Sequence, residues 1–225
     1  MNPSPSLEMT LRDRTAAGKS LVEPLLNYAH RDDVIVLGLP RGGVPVAYEI
    51  ATALEVRLDV MLVRKLGAPS HEEYALGAIA SGGIEIVNEQ ALRVNHIDQA
   101  TLDAIVERET RELLRRETAY RAGRPPLNLK DQVVILVDDG LATGASMMAA
   151  VHAVRRQDPA HIVVAVPVAA LESAEALRSE VTELVCPLTP EWLMSIGQWY
   201  LDFSQTSDNE VIDLLQRAWQ RESAA

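Results

Sequence analysis

Short runs of apolar residues alternate along the chain with longer segments in which apolar residues recur at helical spacing. Runs of about five to eight residues rich in Val and Ile are typical of strands that are covered on both faces of a parallel sheet. Five such strands are predicted, at 34–39, 58–63, 133–137, 161–168 and 182–186. Crossover helices are predicted between them, at 44–55, 145–157 and 171–179. The alternation predicts an α/β fold with an open, mostly parallel (Rossmann-like) sheet flanked by helices.

The interval from 64 to 132 breaks this alternation. It predicts a loop, then a β-hairpin with strands at 75–80 and 84–88, then a charged helix at about 98–121. The apolar stripe of that helix consists of Leu102, Ile105, Leu113 and Leu114. Its charged face is interpreted as solvated surface rather than as a binding site. A further amphipathic helix is predicted near the N-terminus, with Leu21, Val22, Leu25 and Leu26 facing inward.

Composition narrows the class of protein. The 225 residues are 48% hydrophobic and 24% charged, which is typical of a folded chain, and the length suits a single domain over 1–225. A net charge of −11 disfavours a general nucleic-acid binder. The longest apolar run, 162–171, is about half of the roughly 20 residues that a membrane helix needs. The N-terminal residues show no signal-peptide pattern, so we expect a cytoplasmic protein without a membrane partner.

The most informative segment is VVILVDDGLATGASMMAA, in which a predicted buried strand ends in Asp138 and Asp139. A loop rich in small and hydroxyl residues follows, consisting of Gly140, Leu141, Ala142, Thr143, Gly144, Ala145 and Ser146. Small residues before a helix start form a cradle suited to one phosphate. Two carboxylates beside a phosphate need a neutral or cationic counterpart, which ribose hydroxyls or Mg²⁺ would supply. The alternative is a helix N-cap with acidic residues near the dipole.

The run VILVDDGLATGAS resembles the signature of type I phosphoribosyltransferases. The resemblance implies that loop 140–146 binds the 5-phosphate of phosphoribosyl pyrophosphate and that Asp138 and Asp139 bind its ribose hydroxyls. It also implies Mg²⁺ as cofactor, with the two aspartates as indirect metal residues, and a small hood over a core of about 33–187. The hood would come from about 1–32 and 188–225. Gly140 departs from the family, in which an aliphatic residue is more usual.

A second loop, LPRGGVPVA, follows the first predicted strand. Gly42 and Gly43 permit unusual backbone conformations, and Arg41 offers a fork of donors that matches phosphate oxygens. In the resembling family the corresponding loop holds the pyrophosphate, often with an unusual peptide bond. The alternative interpretation is an ordinary strand-to-helix turn with a surface arginine.

A third segment, VRKLGAPSHEEYALGAI, begins with Arg64 and Lys65 at the end of the second predicted strand. Positive charge at this edge of the sheet is predicted to face an anion. The family has a mobile loop here that closes over the pyrophosphate, and 67–70 are consistent with such a lid. His71, Glu72 and Glu73 could do acid–base work on closure, or each could be an exposed loop residue.

The C-terminal segment carries Trp192, Trp199, Tyr200 and Phe203 within twelve positions. Such a cluster either packs a small subdomain or offers a flat surface to a planar ring. IGQWYLDF resembles the hood of hypoxanthine-guanine phosphoribosyltransferases, which implies Trp199, Tyr200 and Asp202 as acceptor residues. Those enzymes carry a further aspartate where this chain has Ala142, and DDGLATGAS is closer to adenine phosphoribosyltransferases. The acceptor therefore stays open.

The first functional hypothesis is a Mg²⁺-dependent enzyme of nucleotide salvage that transfers phosphoribose from phosphoribosyl pyrophosphate to a small nitrogen heterocycle, such as a nucleobase, releasing pyrophosphate. In this hypothesis Asp138, Asp139, Arg64 and Lys65 carry the chemistry. An alternative is a non-catalytic sensor that binds the same donor or a nucleotide, and a third is hydrolysis or phosphorolysis of a ribosyl phosphate. Family analogy implies a homodimer.

Overall fold

The computed structural model describes residues 10–69 and 71–223, together with their side chains apart from those of 71–75. The strands are β1 (Val34–Gly38), β2 (Arg57–Val60), β3 (Val63–Ala68), β4 (His71–Ala80), β5 (Ile84–Val87), β6 (Val133–Val137), β7 (His161–Ala165) and β8 (Glu183–Val185). The α-helices are α1 (Arg14–Ser20), α2 (Gly43–Leu54), α3 (Glu89–Val94), α4 (Gln99–Arg121), α5 (Ala145–Arg155), α6 (Leu171–Arg178) and α7 (Asp208–Glu222). Short 3₁₀ helices span Glu23–Tyr28 and Ile196–Trp199. No helix in these described ranges is long and apolar enough to cross a membrane.

Five of the strands form a parallel sheet in the order β2-β1-β6-β7-β8, which confirms the predicted α/β fold. Alternate residues of the central strands face opposite sides. Val34 and Val36 belong to the hydrophobic core that includes α1, α2 and α7, whereas Ile35 and Leu37 belong to the core under α5 and α6. Strands buried on both faces explain why the apolar runs are continuous rather than alternating.

The ends of the two central strands lie side by side, because Gly38 of β1 is paired with Val137 of β6. The loops that follow β1 and β6 therefore start at neighbouring points. In an open parallel sheet, this edge is where ligands bind.

The predicted strand at 58–63 is in fact divided between two sheets. β2 ends at Val60, and β3 pairs antiparallel with β4, which pairs with β5. The chain is fixed at the crossing because the backbone N–H of Leu62 donates to Ser81 Oγ at 3.1 Å and that of Ser81 donates to the Leu62 carbonyl at 2.9 Å. The predicted hairpin is confirmed, but the predicted loop that begins at Arg64 and Lys65 is wrong, since both residues lie in β3.

Helix α4 confirms the predicted charged helix, with Leu102, Ile105 and Leu113 buried but Leu114 exposed. Helix α7 is an addition to the predicted elements. It starts with a capping box between Ser207 and Glu210 and packs on α2, α4 and β2. The N-terminal helix ends earlier than predicted, because a 3₁₀ helix with Pro24 in its first turn begins at Glu23, and this turns Leu26 outward.

Candidate active site

The loop after β6 is fixed at one end and open along the rest. The backbone N–H of Leu141 donates to the Val168 carbonyl at 2.9 Å, and the Leu141 carbonyl accepts from Ala170 at 2.9 Å. The hydroxyl of Ser173 donates to the Ala142 carbonyl at 2.7 Å. Gly144 has a φ of 68°, a left-handed conformation that glycine adopts without strain, and α5 starts directly after it. The first-turn N–H groups of α5 have no partner within the helix and can receive an anion.

Asp138 lies directly after β6, and one of its two carboxylate oxygens accepts a hydrogen bond. Its Oδ1 accepts from the backbone N–H of Asp139 at 2.8 Å. Within the described residues, no group donates to its Oδ2. Burial, together with the negative charge of Asp139, raises the pKa of Asp138 well above its ordinary value. A partly exposed carboxylate with a free oxygen is suited to a hydroxyl donor or a cation.

Asp139, unlike Asp138, has a charged partner within the protein. Nε and Nη2 of Arg14 each lie 2.8 Å from its Oδ2, and the two side chains are only 12% and 15% exposed. Arg14 also donates to the Ser204 carbonyl at 2.6 Å and stacks over the Phe203 ring at 4.1 Å. Burial raises the pKa of Asp139, and Arg14 opposes that rise. The N-terminal helix and the C-terminal segment are thus fastened to the end of β6.

Arg14 is a site residue that the sequence patterns do not reveal. It stands 125 residues before Asp139 and belongs to no motif, so only the folded structure shows the pairing. We call the set Arg14, Asp139, Tyr200, Phe203 and Ser204 the hood clamp. Tyr200 belongs to it because its hydroxyl donates to the Asp139 carbonyl at 2.7 Å.

The loop after β1 passes close to both aspartates. A Cβ on Gly42 would lie 1.9 Å from Asp139 Oδ2, and one on Gly43 would lie 2.6 Å from the Val137 carbonyl oxygen. Gly42 has a φ of −62°, so this position requires glycine for space rather than for the backbone freedom expected from sequence. The Pro40–Arg41 peptide bond is cis. Nη1 of Arg41 lies 3.6 Å from Asp208 Oδ1, at the start of α7.

Arg64 and Lys65 are not equivalent in the structure. Arg64 donates through Nε to Glu109 Oε2 of α4 at 2.7 Å, whereas Lys65 is exposed. Burial raises the pKa of Glu109, but the hydrogen bonds from Arg64 and Arg108 outweigh it and leave the pKa lowered. Ser70 and the side chains of His71, Glu72 and Glu73 lie outside the described parts of the chain.

A cavity of about 110 Å³ joins these features, and we call it the central cavity. Its polar lining consists of Arg64, Arg116, Asp138 and Ser146, and Pro40 and Leu113 are among its apolar walls. Each of the three segments singled out from the sequence contributes. Arg116 on α4 is a further residue that the sequence patterns do not reveal, because they predict that the charged face of that helix is solvated surface.

Comparisons with known proteins fit this geometry. The model of the phosphoribosyl transferase domain family matches residues 11–204. The chain belongs to that family. The crystal structure of TT1426 from Thermus thermophilus is similar, with 44% identity and a TM-score of 0.82 over 93% of this chain and 99% of that one.

Two curated relatives come from Mycobacterium tuberculosis strains. They are named "Putative phosphoribosyl transferase MT0597" and "Putative phosphoribosyl transferase Rv0571c", and each is 41% identical over 206 residues. The match covers 92% of this chain but 46% of each relative, so the chain spans about half the length of the curated relatives it matches.

Within this phosphoribosyl transferase domain, the predicted acceptor residues differ in burial. Trp199 and Tyr200 are buried, and the Tyr200 ring lies 4.8 Å from that of Phe203, so these rings pack within the C-terminal segment. Asp202 is exposed and its Oδ1 accepts from the Ser204 N–H at 2.9 Å. Trp192 is 75% exposed. The assignment of Trp199, Tyr200 and Asp202 to an acceptor stays a prediction.

The unusual Gly140 is explained by the hood. A Cβ at this position would lie 2.6 Å from Ile196 Cγ2 and 3.1 Å from Val168 Cγ1. Ile196 therefore occupies the space that an aliphatic side chain at 140 would take, and the glycine lets the hood pack directly on loop 140–146.

One carboxylate of the site, that of Asp138, is suited to binding Mg²⁺. The described residues hold no group of three or more His, Cys, Asp or Glu that could bind a metal by themselves. Mg²⁺ is commonly held by one or two carboxylates together with substrate phosphates, and the free Oδ2 of Asp138 fits that arrangement. Asp139 would first have to release Arg14.

Proposed function

We propose that the protein transfers a 5-phosphoribosyl group from phosphoribosyl pyrophosphate to a nitrogen heterocycle of the nucleobase class and releases pyrophosphate. One observation carries the proposal: the loop after β1, the start of β3 and the segment after β6 all line the same central cavity, and the last two bring Arg64, Asp138 and Ser146 to it. Family membership supports it independently.

The proposed binding mode follows from the free groups at the site. The first-turn N–H groups of α5, with Thr143 and Ser146, would hold the 5-phosphate on the open loop 140–146. The free oxygen of Asp138 would accept a hydrogen bond from a ribose hydroxyl. Asp139 would bind the second ribose hydroxyl only after giving up a bond to Arg14. We therefore assign the larger share of ribose binding to Asp138.

The diphosphate of the donor would lie between the loop of Arg41, Gly42 and Gly43 and the guanidinium of Arg64. These groups would stabilise negative charge as the bond from the sugar to the diphosphate breaks, which is electrostatic rather than covalent catalysis. Mg²⁺, when bound, would neutralise further charge on the diphosphate. Lys65 would have to move with the β3–β4 hairpin to take part.

The test is mass spectrometry of products after incubation with Mg²⁺, phosphoribosyl pyrophosphate and a mixture of purines, pyrimidines and other nitrogen heterocycles. A new ribosyl 5-phosphate species that disappears in Asp138→Asn supports the proposal and identifies the acceptor by mass. Free ribose 5-phosphate alone would instead indicate hydrolysis.

A second candidate is a non-catalytic sensor that binds the same donor. The observation that favours it is the composition of loop 140–146, which has Ala142 and no acidic or basic side chain. Tight binding of intact donor with no product from any acceptor would support this candidate over transfer. In either case the family resemblance implies a cytoplasmic protein and a homodimer. Sedimentation at micromolar concentration would test the homodimer.

A further inference from the structure

Helix α4 carries two adjacent arginines that differ in exposure and in their position relative to the central cavity. Arg115 is 62% exposed and lies outside the lining of the central cavity, whereas Arg116 is 36% exposed and lines it together with Arg64 and Asp138. Both belong to the inserted segment between β5 and β6, which the parallel sheet does not need for its own topology.

The two arginines share one carboxylate. Arg115 donates to Glu112 through Nε at 2.7 Å and through Nη2 at 2.9 Å, so its fork is occupied. Arg116 donates to Glu112 only through Nε, at 2.7 Å. Within the described residues, its two terminal nitrogens have no hydrogen-bond acceptor. Two guanidinium groups on one carboxylate leave a net positive charge, and the free donors of Arg116 are at the edge of the cavity.

A second arginine lines the same cavity, and a third lies on the loop after β1, outside the lining. Arg64 reaches it from β3, where Glu109 holds the guanidinium, and Arg41 lies on the loop after β1. Tyr120 donates to Asp208 at 2.6 Å, and this hydrogen bond lowers the pKa of Asp208. The charges of Arg41 and Arg116 lower that pKa further. Hydrogen bonds to Glu112 and the charge of Asp208 raise the pKa of Arg115, so both adjacent arginines feel Asp208, and only the cavity lining and the free nitrogens of Arg116 distinguish them.

We propose that Arg116 is a binding residue for the diphosphate group of the substrate, supplied to the site by helix α4. The proposal rests on the proposed function, because it assigns a further contact in that same site. Guanidinium forks match phosphate oxygens in pairs, and the free terminal nitrogens of Arg116 provide such a fork.

The experiment compares Arg116→Ala with Arg115→Ala, its neighbour on the same helix and the same carboxylate. Isothermal titration with inorganic pyrophosphate, in the presence of Mg²⁺, is expected to show affinity about 10-fold or more lower for Arg116→Ala. Arg115→Ala is expected to stay within about twofold of the wild type. Arg116→Lys, which keeps the charge but loses the fork, is expected to fall between them.

A second ligand separates a direct contact from general damage. Ribose 5-phosphate has no diphosphate, so its affinity is expected to be the same in Arg116→Ala and in the wild type. Equal losses for both ligands, equal losses in both alanine variants, or no loss for pyrophosphate would each overturn the role of Arg116.

The wild type provides the check on the proposed function itself. If it binds neither pyrophosphate nor phosphoribosyl pyrophosphate at millimolar concentration, the proposed function fails and the role of Arg116 fails with it. If the wild type binds both and Arg116→Ala binds them equally well, only the role of Arg116 is overturned.

Discussion

The polar groups on the two sides of the end of β6 differ in how many hydrogen bonds the protein itself supplies to them. On the cavity side, Asp138 keeps a free carboxylate oxygen and Arg116 keeps free guanidinium donors. On the hood side, Arg14, Ser204 and Tyr200 make hydrogen bonds that close around Asp139. Both groups on the cavity side are partly exposed, so a ligand can take the place of water at their free atoms.

The difference assigns the two adjacent aspartates to different tasks. A motif of two consecutive acids suggests two equivalent ligands, but here Asp138 lines the central cavity whereas Asp139 is bound by Arg14. Asp138 is therefore placed for binding and Asp139 for holding the hood. Substitutions on the two sides should then have opposite effects on stability.

The largest expected effect is on the hood side. Arg14→Ala leaves the buried carboxylate of Asp139 without its counter-charge, which is expected to cost about 3–5 kcal/mol of unfolding free energy. Chemical denaturation measures the loss, and Arg12→Ala, which removes an exposed arginine, is the control. Adding Asp139→Asn to Arg14→Ala should recover part of the loss, because the uncompensated charge is gone. An Arg14→Ala variant as stable as the control would contradict the hood clamp.

On the cavity side, Asp138→Asn is expected to weaken binding of phosphoribosyl pyrophosphate by roughly 10- to 100-fold, the value of one charge-assisted hydrogen bond. Isothermal titration measures the change. Asn keeps an oxygen that can accept from the Asp139 N–H, so the loop should stay in place. Unchanged affinity would remove Asp138 from the donor site.

The same variant should gain stability, and the sign follows from the pKa. Burial and the charge of Asp139 raise the pKa of Asp138, so the folded state holds a proton there more tightly than the unfolded state does. This carboxyl therefore destabilises the fold increasingly as pH rises from its ordinary pKa of about 3.9 towards the raised value. Asp138→Asn should melt at a higher temperature near neutral pH, by about 2–4 °C for each kcal/mol gained.

Disturbing the contact between Ile196 and loop 140–146 is expected to have an intermediate effect on the free energy of unfolding. Gly140→Ala drives a Cβ into Ile196 and is expected to cost about 1–3 kcal/mol. Ile196→Ala removes the obstructing atoms. In a double-mutant cycle measured by denaturation, the two substitutions should together cost less than the sum of each alone. Strict additivity would show that Ile196 is not what requires glycine at 140.

These contrasts also show what the sequence could predict. The strands of the parallel sheet are local runs of three to five mostly apolar residues, and the loop of 140–146 is one continuous motif, so both could be predicted from neighbouring residues. Arg14 and Arg116 could not, because their roles depend on contacts with residues far away in the chain. Helix α7 did carry a local signal, since a capping box at Ser207 and Glu210 precedes apolar Val211 and Leu215.

The antiparallel sheet shows most clearly what the sequence pattern could not predict. Val63 continues an apolar run, and the pattern alone extends β2 through it. Only the pairing of Leu62 with Ser81 starts a new strand there, and that pairing joins residues 19 positions apart. The direction of Arg64 towards Glu109, and hence its place in the central cavity, follows from this change of sheet.

The smallest expected effect concerns one hydroxyl of the hood clamp. Tyr200→Phe keeps the ring that packs on Phe203 but removes the donor to the Asp139 carbonyl, at a cost of about 1 kcal/mol. Burial raises the pKa of Tyr200, so the hydroxyl keeps its proton, and the cost should not vary between roughly pH 6 and pH 9. Tyr48→Phe is the matched control, because no described residue hydrogen-bonds its hydroxyl. Thermal unfolding should separate the two by about 2–4 °C. Equal melting temperatures would mean that the clamp holds the end of β6 through Arg14 alone.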